Sequence, residues 1–280
     1  MGTRRAPFAA RRGPTPKASP MTEADWLAGT IISSMVQFAA EHLSTRRQRL
    51  VAAGFCRTAL ATFSHPDLVE SLALLEQYAD GLISEAGAEK ARQRCRALAQ
   101  QVFEEYRASK AGGEPNLRPY AQAEVAWAFA YAFNYSPVPV DEICSRVDDA
   151  ATTTHAVDLH NRRHWDALSA ATRSEHTARA RLQQIVWDVV GNPFRPVAFL
   201  PEWRTDTVLA LARQMYEARE FSAMPILADA LQDAGCDSDE VLNHCRDAGG
   251  GLGEPVGGSP VLRSEHVRGC WVVDGVLGME

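Results

Sequence analysis

The sequence predicts an all-α protein of stacked antiparallel helix pairs, and three observations carry that expectation. Apolar residues recur at three- and four-residue spacing along most of the chain, as they do on one face of a helix. No alternating apolar–polar run is long enough to make a useful strand. Glycine and proline mark the ends of the periodic stretches. Self-similarity at a fixed period is absent, so an irregular helical array is expected in place of a regular solenoid.

Taken in order, Thr22-Glu23-Ala24-Asp25 has the hydroxyl and following acid of a capping box and opens the first helix. A second helix starts near Ser44 or Thr45 and runs to about Thr62, before His65-Pro66-Asp67 restarts the chain. Leu68, Leu72, Leu75 and Tyr78 then form one stripe that stops at Gly81. A longer, more charged helix covers Ser84 to Lys110, and Gly112-Gly113-Glu114-Pro115-Asn116 is a linker. Tyr120 to Asn134 reads as an Ala- and aromatic-rich helix ended by Pro137 and Pro139, with the next beginning at Val140. One long helix is expected from about Ala156 to Val190, where Gly191 takes the left-handed cap at little steric cost. The prolines of Asn192–Trp203 make an extended connector. Four short helices follow, the last running from His266 to Leu277. This divides the chain into a basic tail (1–20), an N-terminal helical region (21–111), middle helices (117–190) and a C-terminal four-helix region (191–280). A glycine-rich loop interrupts the last of these at 248–264.

Of the 280 residues 46% are hydrophobic, enough to bury a core without disulfide or metal staples. The tail carries five positive residues and no acid, and it lacks the apolar run of a secretory signal. It is expected to be a disordered extension, or sequence ahead of a true start at Met21. The whole chain is at −6, but without the tail 24 basic residues face 35 acidic ones, about −11. Such a field argues against general binding to nucleic acid or to anionic membranes. No window approaches the roughly 18 uninterrupted apolar residues of a spanning helix. Six cysteines without a signal peptide point to a reducing compartment, hence the cytoplasm.

Several segments resemble a large paralogous family of uncharacterised helical proteins typical of planctomycete bacteria. They are Met21-Thr22-Glu23-Ala24-Asp25-Trp26-Leu27, Gly191-Asn192-Pro193-Phe194-Arg195-Pro196, Met224 to Asp237, His244-Cys245-Arg246 and His266 to Asp274. The resemblance covers roughly 21–110 and 185–280. It implies a helical fold, supports Met21 as the start, and transfers no activity. Against that family's pattern, the glycine-rich loop looks like an insertion and Gly275 replaces an apolar residue, which is expected to weaken the final helix.

The candidate sites are few. Cys236, Cys245, His266 and Cys270 are zinc-type ligands within 35 residues. Against zinc stand the lack of a C-x-x-C pair and the adjacency of His244 and Cys245, which point to different faces, so buried thiols are the expectation and zinc the alternative. His160 and His164 share a helix face but lack a third ligand. Asp237, Asp239 and Glu240 suit a helix cap and its first turn, and Asp229 and Asp233 should face solvent. Arg46, Arg49 and Arg57 form one stripe, expected to be solvated. Asp274, in an apolar helix, must reach water or pair with a cation, and Arg195 is a candidate for a buried ion pair. Gly249 to Gly253 lacks the residues of a phosphate loop. The functional expectation is a non-catalytic helical scaffold or interaction protein, with no cofactor, that meets a partner protein through a surface including Phe194, Arg195 and Trp203. The alternative is a zinc-binding C-terminal module. A hydrolytic enzyme ranks third, with no assignable site.

Overall fold

The computed structural model of the protein describes residues 21–29, 31–111, 116–134, 137–161, 165–246 and 266–279, with side chains at 155–177 outside that description. The basic tail, the glycine-rich loop and the side chains of His160 and His164 therefore lie outside the described residues. The fold is all-α: among the described residues there are twelve α-helices and no strand. No helix among them is long and apolar enough to cross a membrane.

The capping box forms as expected, with Thr22 and Asp25 satisfying each other's backbone amides, but the first helix is short. α1 (Glu23–Ala28) closes on Gly29 in the left-handed conformation, and α2 (Ile32–His42) starts anew. Ser44 then caps α3 (Thr45–Ala59). α3 is buried on nearly every side: Leu50, Val51, Ala52, Phe55 and Cys56 are at most 1% exposed. It packs against α4 (Pro66–Ala79), α6 (Arg118–Ala132), α7 (Val140–Asn161) and α8 (Trp165–Val190). At Gly54 a Cβ would stand 2.5 Å from Ile185 Cγ2, so the glycine lets α3 and α8 approach closely. The alanines of α6 serve the same end against α5 (Glu85–Ala111) and α7: Ala123, Ala126, Ala128 and Ala132 have no exposed surface. The single helix expected from 156 to 190 is instead two elements, because α7 continues to Asn161 and α8 begins at Trp165.

These eight helices enclose the first core. Gly191 ends α8 with φ +70, as its position predicts, and the connector reaches a single 3-10 turn at Pro201–Trp203. A second core follows from α9 (Asp206–Ala218), α10 (Met224–Asp233), α11 (Asp239–Arg246) and α12 (Trp271–Leu277). The final helix is shorter than expected. Residues 266–270 form a non-helical return in which Gly269 takes φ +99 directly over Leu50. Gly275 lies within α12. A Cβ there would fall 2.1 Å from the ring of Phe199, so the missing side chain is the seat of that ring.

Polar side chains join the two cores. Arg46 donates to Asp274 (2.6 Å), to Asp80 (3.0 Å) and to the Tyr216 hydroxyl (2.7 Å), and that hydroxyl donates to Asp80 (2.7 Å). Arg268 reaches Asp80 at 2.8 Å, while Glu76 accepts from Arg57 of α3 and from Arg219, which follows α9. Asp274 and Glu76 are 0% and 2% exposed, so each depends on these cations for its charge. The expected pairing of Asp274 with Arg195 is corrected: Arg46 holds Asp274, and Arg195 binds Glu23 at 2.6 Å. The arginine stripe is corrected as well. Arg46 and Arg57 belong to this network, and Arg49 lies 3.7 Å from the centre of the Tyr78 ring.

Candidate functional site

Two features occupy the junction between the cores. The first is a cleft of about 740 Å³. Trp187 and the connector residue Phe199 line it with Trp271 of α12, and Arg47 comes from the start of α3. The sequence locally dictates this wall. Gly191 stops α8 and its prolines keep the connector extended, while the Trp26 indole donates to the Gly191 carbonyl (3.1 Å) and Trp187 donates to the Trp26 carbonyl (3.2 Å). Asn192 and Arg195 both donate to Glu23, and these bonds hold its carboxyl below the usual carboxylate range against its partial desolvation. Arg47 and Arg204 also line the cleft; Arg204 donates to the Gly275 carbonyl at 2.9 Å, and the charge of Arg47 acts on Asp274. Of the three expected interaction residues only Arg195 lies on this cleft. Phe194 stacks on Phe38 at 5.4 Å with rings nearly parallel, and Trp203 is buried in the second core because its indole is what the short helices pack around.

The second feature is a buried cluster in which Asp188, His244, His266 and Cys270 bring ligand-type atoms within 4.8 Å of one another. Asp188 sits in the last turn of α8, His244 on α11, and His266 and Cys270 bracket the return into α12. Asp188 Oδ1 accepts from His266 Nδ1 at 2.6 Å and lies 3.2 Å from His244 Nε2. Its Oδ2 accepts the Val267 amide at 2.8 Å, which is what bends residues 266–270 out of a helix. Cys270 Sγ is 3.2 Å from His244 Nε2 and 3.9 Å from His266 Nδ1. Trp271 packs on the His244 ring at 5.2 Å, and His244 also lines the cleft.

Burial alone would raise the Asp188 pKa, but the His266 charge and the hydrogen bonds from both imidazoles outweigh it and hold the carboxyl well below its usual range. Burial lowers the His266 pKa, the Asp188 charge and hydrogen bond raise it, and the net shift is upward. The Cys270 thiol is pushed well up, by burial first and by Asp188 second.

Of the zinc-type set expected from sequence, only His266 and Cys270 meet here. Cys236 and Cys245 are buried thiols of the second core, Cys245 on the apolar face where its helical spacing places it and Cys236 beyond the end of α10, and all six cysteines are free and buried. His244, set aside because it neighbours Cys245, is the residue that turns inward to the cluster; the two do face different ways. Asp188 carried a signal that went unread, a lone acid inside the apolar run Ile185-Val186-Trp187-Asp188-Val189-Val190. No protein-family model, no curated protein and no solved structure matches this chain.

Proposed function

We propose that this is a non-catalytic, cytoplasmic helical protein that binds a partner protein in the cleft between its two cores. The observation that supports it is the cleft itself: indole and phenyl walls from Trp187, Trp271 and Phe199, with the guanidinium groups of Arg47 and Arg204 beside them. Tryptophan and arginine are the side chains that anchor protein interfaces most often, because each combines large contact area with a polar handle. The partner segment that suits such a cleft has an apolar anchor and an acidic group for Arg47 or Arg204. The chain's net −6, carried on a still more acidic body, disfavours nucleic acid as that partner.

Site-specific photo-crosslinking in living cells tests the reading. A photoreactive residue at Phe199 or Arg47 should capture one protein species, and the same group at Glu104, exposed on α5, should not. Equal capture from all three positions, or none from the cleft, refutes the proposal.

A further inference from the structure

We propose that Asp188, His244, His266 and Cys270 form a closed four-ligand centre for a divalent transition metal, zinc above all, that clasps the two cores together. The inference rests on convergence. His244 directs one atom, Nε2, at both Asp188 Oδ1 and Cys270 Sγ, each 3.2 Å away. His266 likewise directs Nδ1 at the same two groups, at 2.6 and 3.9 Å. A ring nitrogen holds either one proton or one lone pair, so it meets two such neighbours only by sharing one weakened, three-centre bond between them. Once their protons are released, four ligand atoms facing one point are satisfied together by a cation.

The spacing fits. Zinc bonds of about 2.0–2.3 Å in a tetrahedron place ligand atoms about 3.3–3.6 Å apart. Four of the six edges are observed at 2.6 to 3.9 Å, on both sides of that range, and all six lie within 4.8 Å, so side-chain adjustments bring the atoms to a tetrahedron. Supporting contacts are also in place. Asp188 offers Oδ1 while the Val267 amide holds Oδ2, which makes the carboxylate a single-oxygen ligand of fixed orientation. Trp271 packs against the His244 ring. His266 Nε2 is buried with no hydrogen-bond partner among the described residues, so the orientation of that ring is set by what its Nδ1 faces.

The donor set selects the metal. Two imidazoles, a thiolate and a carboxylate suit zinc, whereas magnesium and calcium take oxygen ligands. Four protein ligands around one point are the pattern of structural sites, because catalytic ones keep a position open for water or substrate. On binding, the metal displaces the Cys270 thiol proton and any imidazole proton held in the centre, and these leave to solvent. Its four bonds then tie α8 of the first core to α11 of the second and to the 266–270 return that leads into α12.

The test uses the full chain, purified without a tag and stripped with a chelator. Titration with Co²⁺ alone should give, at one equivalent, the visible bands of tetrahedral cobalt and a near-ultraviolet thiolate charge-transfer band, both removed by one equivalent of Zn²⁺. Cys270→Ser should lose the charge-transfer band, and Asp188→Asn should weaken cobalt binding about 100-fold or more. Cys236→Ala and Cys245→Ala should keep the full spectrum. Should the ligand variants fail to fold, the thermal midpoint of the wild-type chain decides, and Zn²⁺ is expected to raise it with a one-to-one dependence. Absence of a one-equivalent cobalt spectrum, a charge-transfer band that survives in Cys270→Ser, or a midpoint indifferent to zinc overturns the proposal. The crosslinking experiment reads the cleft independently, so either reading can fail alone.

Discussion

The two cores are built on different terms. The first is made of helices that run to 27 residues, and its alanines and glycines let backbones approach across wide faces. The second has helices of 13, 10, 8 and 7 residues. Helices that short are marginal by themselves, so tertiary contacts must hold them. Part of that hold is apolar, through Met215, Leu227, Val241 and Val272. The rest reaches across to the first core through buried charges. The lesson is that a small helical unit can depend for its position on a few long-range polar ties that leave no periodic trace.

The sharpest way to break this dependence is Arg46→Met. It strips Asp274, fully buried, of the guanidinium hydrogen-bonded to it and should cost about 3–5 kcal/mol, read from the urea midpoint. Hydrogen exchange should show α12 losing protection while α6 keeps it. Uniform loss in both would mean that the cores unfold as one unit.

Tyr216→Phe comes next. It removes one hydrogen bond to a carboxylate and one from a guanidinium, and should cost about 1.5–3 kcal/mol. Burial and the hydrogen bond to Asp80 push the folded Tyr216 pKa up to about 12, against an unfolded value near 10. Because the folded value is the higher, the associated stability is present below about pH 10 and is lost as pH rises through 12. The gap in stability between wild type and Tyr216→Phe should therefore shrink over that interval, and a constant gap would exclude the hydroxyl as its source.

Gly275→Val drives a side chain into the ring of Phe199 and should destabilise by about 1–3 kcal/mol. The effect should fall when Phe199 is shortened to Leu. The smallest change is expected on the outer face of the first core. There Arg94 and Glu70 pair at 3.0 Å but are 39% and 58% exposed, and Arg94→Ala should shift stability by less than about 1 kcal/mol.

Much of the helical plan was legible from the chain. Thr22, Ser44, Gly191 and the Leu68–Leu72–Leu75 stripe act locally, through caps and one-turn spacing that a linear reading captures. What escaped depends on distance along the chain. Asp188 and His266 are 78 residues apart, and no local spacing announces that the Val267 amide will be taken by a carboxylate on another helix. The same holds for Arg46 and Asp274, separated by 228 residues. Cys245 was legible as a core thiol from its place on an apolar stripe. His244 was not, since its neighbour's burial says nothing about what stands on the opposite side of α11. An isolated acid within an apolar run, as at Asp188 and Asp274, is the one local sign that both junction networks share.

Arg219 carries a further consequence. It is the only non-glycine residue with positive φ among those described, at +55, and it occupies the C-cap of α9 where glycine is the easy choice. Its guanidinium binds Glu76 of the first core. A sequence optimised helix by helix would place glycine there and relax the backbone. In this molecule that substitution would sever an anchor line between the cores, so local comfort and global cohesion pull in opposite directions at a single residue.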